Sequence, residues 1–415
     1  MALAGKFSQV AHLRLTSQRI LGHRCTDVVN TVRSMLAMQA QDFAGAKWSV
    51  GLRTEGATDG AVEQALASGE IVRSWPLRGT LHFCAAEDLL WLLEVGARRV
   101  IAGAAARRAA LGIDERTLGR VRDLAIENLA GGRGLTRAAI LEAFERGGLA
   151  TAGQRGYHLL WHLSQTGTLC FGPPRGKARS GQRAGREPTG SEQTFVLLEE
   201  WVKHPLHFER EQALGELARR YFASHGPATS RDLAWWAKLT AADLATAIAV
   251  ARPALTELTS AGFHYFMAGE AAASMPRASA KNMPLGTDLP SVFALPGFDE
   301  YLLGYQNRDA ALPLRHRSRI VPGGNGMFMP TIVVDGQVVG TWRSTARAKV
   351  VDVEALPFTR LTRAAAKGFA AAVQARGRFL GAAVRVIEKK AAPRSPAGRR
   401  GCPATVASTG QFEQP

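Results

Sequence analysis

The hydrophobic pattern changes period within the first ninety residues. Residues 12–20 suit a short helix. Val28, Val32, Met35 and Leu36 share one face of a second helix, running to about Met38 with Thr26-Asp27 as its cap. Residues 47–53 continue as helix or strand. Asp59 caps a further helix over 60–67, with Val62 and Leu66 inward. The period then shifts to two: residues 71–75 and 79–83 alternate like paired strands around Pro76. Short helices followed by a β-hairpin is the order of a winged-helix module, where a helix enters a DNA groove and the hairpin meets phosphate.

The same order recurs. Residues 86–93 form a helix with Trp91 inward, and Arg98, Arg99, Arg107 and Arg108 follow on an alanine-rich helix, as a solvated face or a phosphate-contacting one. Asp114 caps a helix carrying Leu118, Val121, Leu124, Ala125 and Leu129; further helices cover 138–146 and 154–165, and a strand covers 167–171. A third round has helices at 211–224, 233–238 and up to Val250, the latter two capped by Thr229 and Thr240, then strands within 255–266. From Pro290 the texture changes. Residues 291–295, 331–334, 337–342 and 349–351 are strand-like, Asp335-Gly336 is a hairpin turn, and one helix covers 363–380. The expected fold is α+β: three tandem winged-helix modules followed by a small C-terminal β-barrel-like domain. The boundaries are 8–95, 96–172 and 195–270 for the modules and 285–388 for the last domain. A basic flexible loop at 173–194 and a disordered basic tail at 389–415 complete the chain.

Charge narrows the function. The 415 residues hold 52 Lys and Arg against 35 Asp and Glu, a net charge of +17, which favours a polyanionic partner, nucleic acid above all. An Ala-, Arg- and Gly-rich composition inflates arginine by itself, but here the arginines cluster. Arg175, Lys177, Arg179, Arg183 and Arg186 all fall in the 173–194 loop, which reads as a nucleic-acid arm or a disordered insertion. No apolar run reaches the roughly 18 residues that cross a bilayer. Four scattered cysteines with no Cys-x-x-Cys pair argue against a zinc site or a disulfide framework, and fit a reducing cytoplasm. His158 and His162 have metal-binding spacing but no third ligand in view, so packing or surface placement is the simpler reading. The glycine-rich stretch 322–326 lacks the Lys-Ser/Thr of a phosphate-binding loop.

The distinctive chemistry is Gln39-Ala40-Gln41, at the end of an apolar run. In a helix, residues two apart diverge; in an extended segment they share a face. If the two amides act together, the helix stops near Gln39 and the chain runs extended through Gln41. A convergent pair of amides can hold a water in a fixed orientation. The alternative is that two polar residues simply mark a helix end.

With Gln39-Ala40-Gln41, four further blocks resemble the winged-helix DNA glycosylases typified by AlkZ and YcaQ. They are Trp75-Pro76-Leu77-Arg78-Gly79-Thr80-Leu81-His82, Phe298-Asp299-Glu300-Tyr301-Leu302-Leu303-Gly304-Tyr305, Pro322-Gly323-Gly324-Asn325-Gly326, and the run from Val334 to Trp342. The resemblance covers roughly residues 8–385. It implies tandem winged helices and a β-barrel around duplex DNA. It also implies excision of N7-alkylated purines, with crosslink unhooking in some members. The family's catalytic element is Gln-x-Gln or Gln-x-Asp, here Gln39 and Gln41. An N7-alkylated purine is already cationic and leaves readily, so weak amides suffice to position the attacking water. Asp42 is a candidate third partner, although in an extended segment it faces away from both glutamines. Arg78, His82, Asn325 and Arg343 are candidate DNA contacts, His82 being equally a packed strand histidine. Asp299-Glu300-Tyr301 reads as a structural cluster supporting the C-terminal domain. No cofactor, metal or obligate protein partner is expected, and no lysine in the motif is placed for lyase chemistry. A monomer suffices to wrap DNA. The competing function is a non-catalytic winged-helix DNA-binding protein, a regulator or damage sensor. A metal-dependent nuclease lacks the carboxylate or histidine cluster it needs.

Overall fold

The computed structural model describes residues 2–174, 193–269, 291–347 and 350–387. The expected basic loop lies almost wholly outside them and the tail entirely so. The first section contains α1 (Ala2–Ser17), α2 (Val28–Met35), the two-residue strand β1 (Met38–Gln39), α3 (Phe43–Arg53) and α4 (Asp59–Ser68). The hairpin β2 (Ile71–Leu77) and β3 (Thr80–Ala85) follows. Asp27 caps α2 by accepting the Asn30 N–H at 2.7 Å. The ambiguous 47–53 stretch is helix, and α2 ends three residues earlier than its apolar pattern suggests. At Leu36 the backbone turns to φ 66°, ψ −58°, and the Ala37 N–H bonds the Met35 carbonyl at 2.8 Å. This is a γ-turn with positive φ, a strained conformation for a leucine.

The second section holds α5 (Leu89–Gly103), α6 (Ala105–Ala110), α7 (Glu115–Leu129), β4 (Leu135–Thr136), α8 (Arg137–Arg146) and α9 (Arg155–Gln165). Strands β5 (Leu169–Gly172) and β6 (Thr194–Leu197) and the turn-long α10 (Leu198–Trp201) complete it. Its strands join those of the first section in one six-stranded sheet, ordered β1-β3-β2-β5-β6-β4, through the pairing of Arg73 with Phe171. The third section has α11 (Arg210–His225), α12 (Ser230–Ala237), α13 (Ala241–Ala251) and the hairpin β7 (Leu255–Ser260) with β8 (Phe263–Ala268). Thr229 and Asp232 form a reciprocal capping box on α12.

In the C-terminal section, β9 (Val292–Leu295), β10 (Thr331–Val334), β11 (Gln337–Ala346), β12 (Val350–Pro357) and β13 (Ala383–Ile387) make a curled, half-barrel sheet. Asp335 (φ 48°) and Gly336 (φ 79°) form the expected two-residue turn between β10 and β11. Helix Arg363–Leu380 packs on β9, where Gly368 lies so close to Val292 that a Cβ would sit 2.6 Å from its side chain. Strand β13 pairs parallel with β12 and has no counterpart in the sequence reading.

The cores cut across these sections. One cluster combines Leu36, Trp91, Leu217, Phe222, Trp236 and Tyr305. Another combines Val32, Met38, Trp48, Phe83, Leu302, Val333 and Phe379. The chain from Leu36 to Ala40 therefore passes between two cores. Leu36 and Ala37 enter the first; Met38 and Ala40 enter the second.

Candidate active site

Because Met38 and Ala40 face inward on an extended strand, Gln39 and Gln41 face the opposite way, together. They meet: Gln39 Nε2 donates to Gln41 Oε1. The segment that carries them is pinned along its backbone. Gln39 pairs with His82 across β1 and β3, and the Ala40 N–H bonds the Leu81 carbonyl at 2.7 Å. The Ala40 carbonyl takes two donors from Arg73, at 3.0 and 2.7 Å. The Gln39 N–H points away from the sheet and is taken by Glu300 Oε1 at 3.0 Å.

The Gln39 side chain is buried and its oxygen is accounted for. Arg78 Nη2 and Thr80 Oγ1 both approach Gln39 Oε1 at 3.3 Å. Arginine has no acceptor, so the Gln39 atom facing it is the oxygen, and its NH₂ is left to face Gln41. Gln41 is only half-buried. Its oxygen takes one donor from Gln39, and a carbonyl oxygen has room for a second.

Arg78 sits at the tip of the β2–β3 hairpin. Arg78 (φ 57°) and Gly79 (φ 74°) form a two-residue turn between Leu77 and Thr80. The turn aims the guanidinium inward, where Nη1 bonds the Trp236 carbonyl at 2.5 Å and Nη2 reaches His82 Nε2 at 3.2 Å. His82 is fully buried, and its Nδ1 lies 2.8 Å from the Thr80 carbonyl. A carbonyl only accepts and an arginine only donates, so His82 is the neutral tautomer with its proton on Nδ1. Burial, then the Arg78 charge, push its pKa down to about 3.

Glu300 stands behind the strand. It opens the short helix Glu300–Leu303, follows the cap residue Asp299, and is 1% exposed. Its Oε2 accepts from Trp236 Nε1 at 3.0 Å and faces His225 Nε2 at 3.3 Å. Burial alone would raise its pKa. The hydrogen bond and charge of His225, with Arg78 beyond, hold it down at about 2. Asp299 accepts two hydrogen bonds from Arg53, each 2.9 Å, and one from Ser49 at 2.6 Å. The acidic pair thus ties the C-terminal section to the first one, beyond the domain it was expected to support.

Gln39, Gln41, Arg78 and His82 therefore converge, joined by Thr80, Glu300 and Trp236, which the sequence reading did not place in the site. One signal for Glu300 was present: acidic residues inside the apolar run Phe298–Tyr305 need buried partners. Asp42 faces its own helix, capping α3 by accepting the Gly45 N–H at 2.9 Å. Asn325 is exposed and caps the Met327 N–H at 3.0 Å. Arg343 is exposed and paired with Glu354 at 2.6 Å. Neither has a described contact with the glutamines. His158 is buried beside Trp161, and no group of three or more metal-ligating side chains occurs among the described residues. No helix among them is long and apolar enough to cross a membrane.

The family model for AlkZ-like DNA glycosylases matches residues 32–379, most of the chain. The chain belongs to the AlkZ-like DNA glycosylase family. A curated relative, the interstrand DNA cross-link repair glycosylase of Streptomyces sahachiroi, is 25% identical over 385 residues, covering 88% of this chain and 96% of its own. The solved structure of the Streptomyces sahachiroi DNA glycosylase AlkZ aligns with a TM-score of 0.73 at 23% identity, covering 92% of this chain and 99% of that one. The mixed α+β architecture is thus the AlkZ fold. The glutamine strand lies inside the region matched to the AlkZ-like family, between the two cores of this chain.

Proposed function

We propose that this protein is a monofunctional DNA glycosylase that excises N7-alkylated, cationic purines from duplex DNA, including bulky or crosslinked ones. Its role is DNA repair or self-resistance to a genotoxic natural product. The observation that carries the reading is the meeting of Gln39 with Gln41. Gln39 is fixed from behind by Glu300 and from the side by Arg78 and Thr80. It in turn fixes Gln41. The remaining lone pair on Gln41 Oε1 accepts a hydrogen bond from the attacking water and orients its oxygen toward C1′; the water's proton passes to solvent once the C1′–O bond has formed. A neutral amide is too weak a base to deprotonate water outright, so the scheme needs a substrate whose base already carries positive charge. Rate then comes from position and electrostatics.

The name of the Streptomyces relative points to crosslinks as a substrate class. A crosslinked base is tethered to both strands and cannot be fully extruded, and the partial exposure of Gln41 fits a base met at the surface. We assign the helix–hairpin sections to three winged-helix modules around the duplex, with Asn325 and Arg343 as outlying DNA contacts. Asp42 keeps the role of helix cap. The lysine nearest the motif, Lys47, is held between Asp59 and Glu63, each at 2.7 Å, which supports hydrolysis without a Schiff base.

The test is a duplex with one N7-methylguanine, incubated with protein and then treated with alkali to break abasic sites. Strand breaks at the lesion are expected. The double substitution Gln39→Ala and Gln41→Ala is expected to lower the single-turnover rate by about 10² or more while DNA binding persists. Unchanged excision by the double variant would sink the mechanism.

A further inference from the structure

Among the described residues five large hydrophobic side chains are exposed; Leu206 and Val250 lie in other parts of the chain, and the remaining three fall together. Leu314 is 72% exposed, Met327 52% and Met329 37%, all within one stretch of the C-terminal section. The stretch is folded, not slack. The Met329 N–H bonds the Ile320 carbonyl at 2.9 Å, and His316 stacks on Phe358 at 4.2 Å. Arg317 pairs with Asp309 at 2.6 Å. The apolar tips are therefore held out on a supported loop. Beside them Arg315 and Arg319 are exposed, in a chain of net charge +17.

The loop is linked to the glutamine cluster through a relay of ring and guanidinium contacts. Phe328, between the two methionines, lies 5.0 Å from the Arg308 guanidinium, which lies 5.0 Å from the Trp235 ring. Arg78 lies 5.3 Å from the same ring and bonds Gln39. A second route runs through Phe298, 6.3 Å from Phe328 and two residues before Glu300. The loop that carries the exposed apolar tips is thus connected to the candidate active site on the side of Arg78.

We propose that residues 314–329 are a DNA wedge. Met327 and Met329 enter the base stack beside the lesion, and Arg315 and Arg319 hold the flanking phosphates. This rests on the glycosylase reading of the glutamine pair. Proteins that kink duplex DNA insert apolar side chains between base steps and offset the cost of unstacking by doing so. A methionine suits the task, because its unbranched, polarizable chain fills an irregular gap. The arginines beside the tips fit a polyanion rather than an apolar protein partner.

The test uses a duplex carrying 2-aminopurine next to N7-methylguanine on a 2′-fluoro sugar, which resists cleavage. Binding of the unaltered protein is expected to raise 2-aminopurine fluorescence as the step unstacks. The double substitution Met327→Gln and Met329→Gln is expected to abolish most of that rise with affinity little changed. On the cleavable duplex it slows excision about tenfold. A mismatch opposite the lesion, which unstacks the step beforehand, restores the variant's rate. A full fluorescence rise with the variant, or none with the unaltered protein, would overturn the wedge. A rise without excision by the unaltered protein would leave the wedge standing and remove the glycosylase reading instead.

Discussion

At the scale of single residues, Gln39 depends on groups that are themselves buried and charge-sensitive. Glu300 accepts the Gln39 N–H and is held ionised at about 2, against an ordinary 4.5. His82 is held neutral down to about 3, against an ordinary 6.5. Both folded values are depressed, so in both cases the unfolded chain binds protons first as pH falls. Stability is then lost from 6.5 down toward 3 for His82 and from 4.5 down toward 2 for Glu300. The urea midpoint is expected to fall steadily between pH 7 and pH 4. At neutral pH, Glu300→Gln removes the charge that anchors Trp236 and His225, and is expected to cost about 2 kcal/mol. It should also slow single-turnover excision without weakening DNA binding, because the strand bearing Gln39 loses its brace. A Glu300→Gln protein with an unchanged midpoint and rate would take Glu300 out of the site's support.

At the scale of elements, two tight turns aim the site. The γ-turn at Leu36 ends α2 and throws the chain into β1; the hairpin turn at Arg78-Gly79 sends a guanidinium inward. Gly79 has φ 74°, and a Cβ there would stand 2.9 Å from Val100 Cγ1. Gly79→Ala is therefore expected to cost about 1–3 kcal/mol from the left-handed backbone and the close contact. It would also displace Arg78 from Gln39, so a loss of excision rate should accompany the fall in stability. Full stability would show that the turn relaxes freely. These elements also mark how far sequence alone reaches. The helices opened by Asp27, Thr229 and Thr240, and the turn at Asp335-Gly336, are legible because cap and turn chemistry act within four residues. The facing of Gln39 and Gln41 is legible from the period of a strand. The stop of α2 at Met35 is not, since Leu36, Ala37 and Met38 prolong the apolar run and nothing in it announces a positive φ. The hydrogen bond of Gln39 to Glu300 spans 261 residues, beyond the reach of any local pattern. The same holds for the joining of two hairpins at Arg73 and Phe171. Strand β13 does carry a strand's alternation, Val384 and Val386 packing on the C-terminal core on either side of Arg385, but its parallel pairing with β12 is not written in any local pattern.

At the scale of the whole molecule, the sections are not beads on a string. Leu36 and Ala37 share a core with the third section, and Met38 and Ala40 share one with the C-terminal section. Arg53 is fully buried in the first section, yet its carboxylate partner is Asp299. Trp48 Nε1 donates to the Ala294 carbonyl at 3.0 Å, and its ring packs on Phe379 at 5.3 Å. Removing the C-terminal section would therefore leave an unpaired buried guanidinium and an uncovered apolar face, a loss of several kcal/mol that a marginally stable fold cannot absorb. A fragment ending at residue 270 is expected not to fold cooperatively, although every helix of the first three sections lies within it. In the full chain, tryptophan fluorescence and excision should be lost at the same urea concentration, because the glutamine strand is wedged between cores that stand or fall together. A fragment that unfolds in a sharp transition of its own, or excision lost well before the fluorescence changes, would mean that the C-terminal section is an appendage and that Glu300 braces the site without helping to build it.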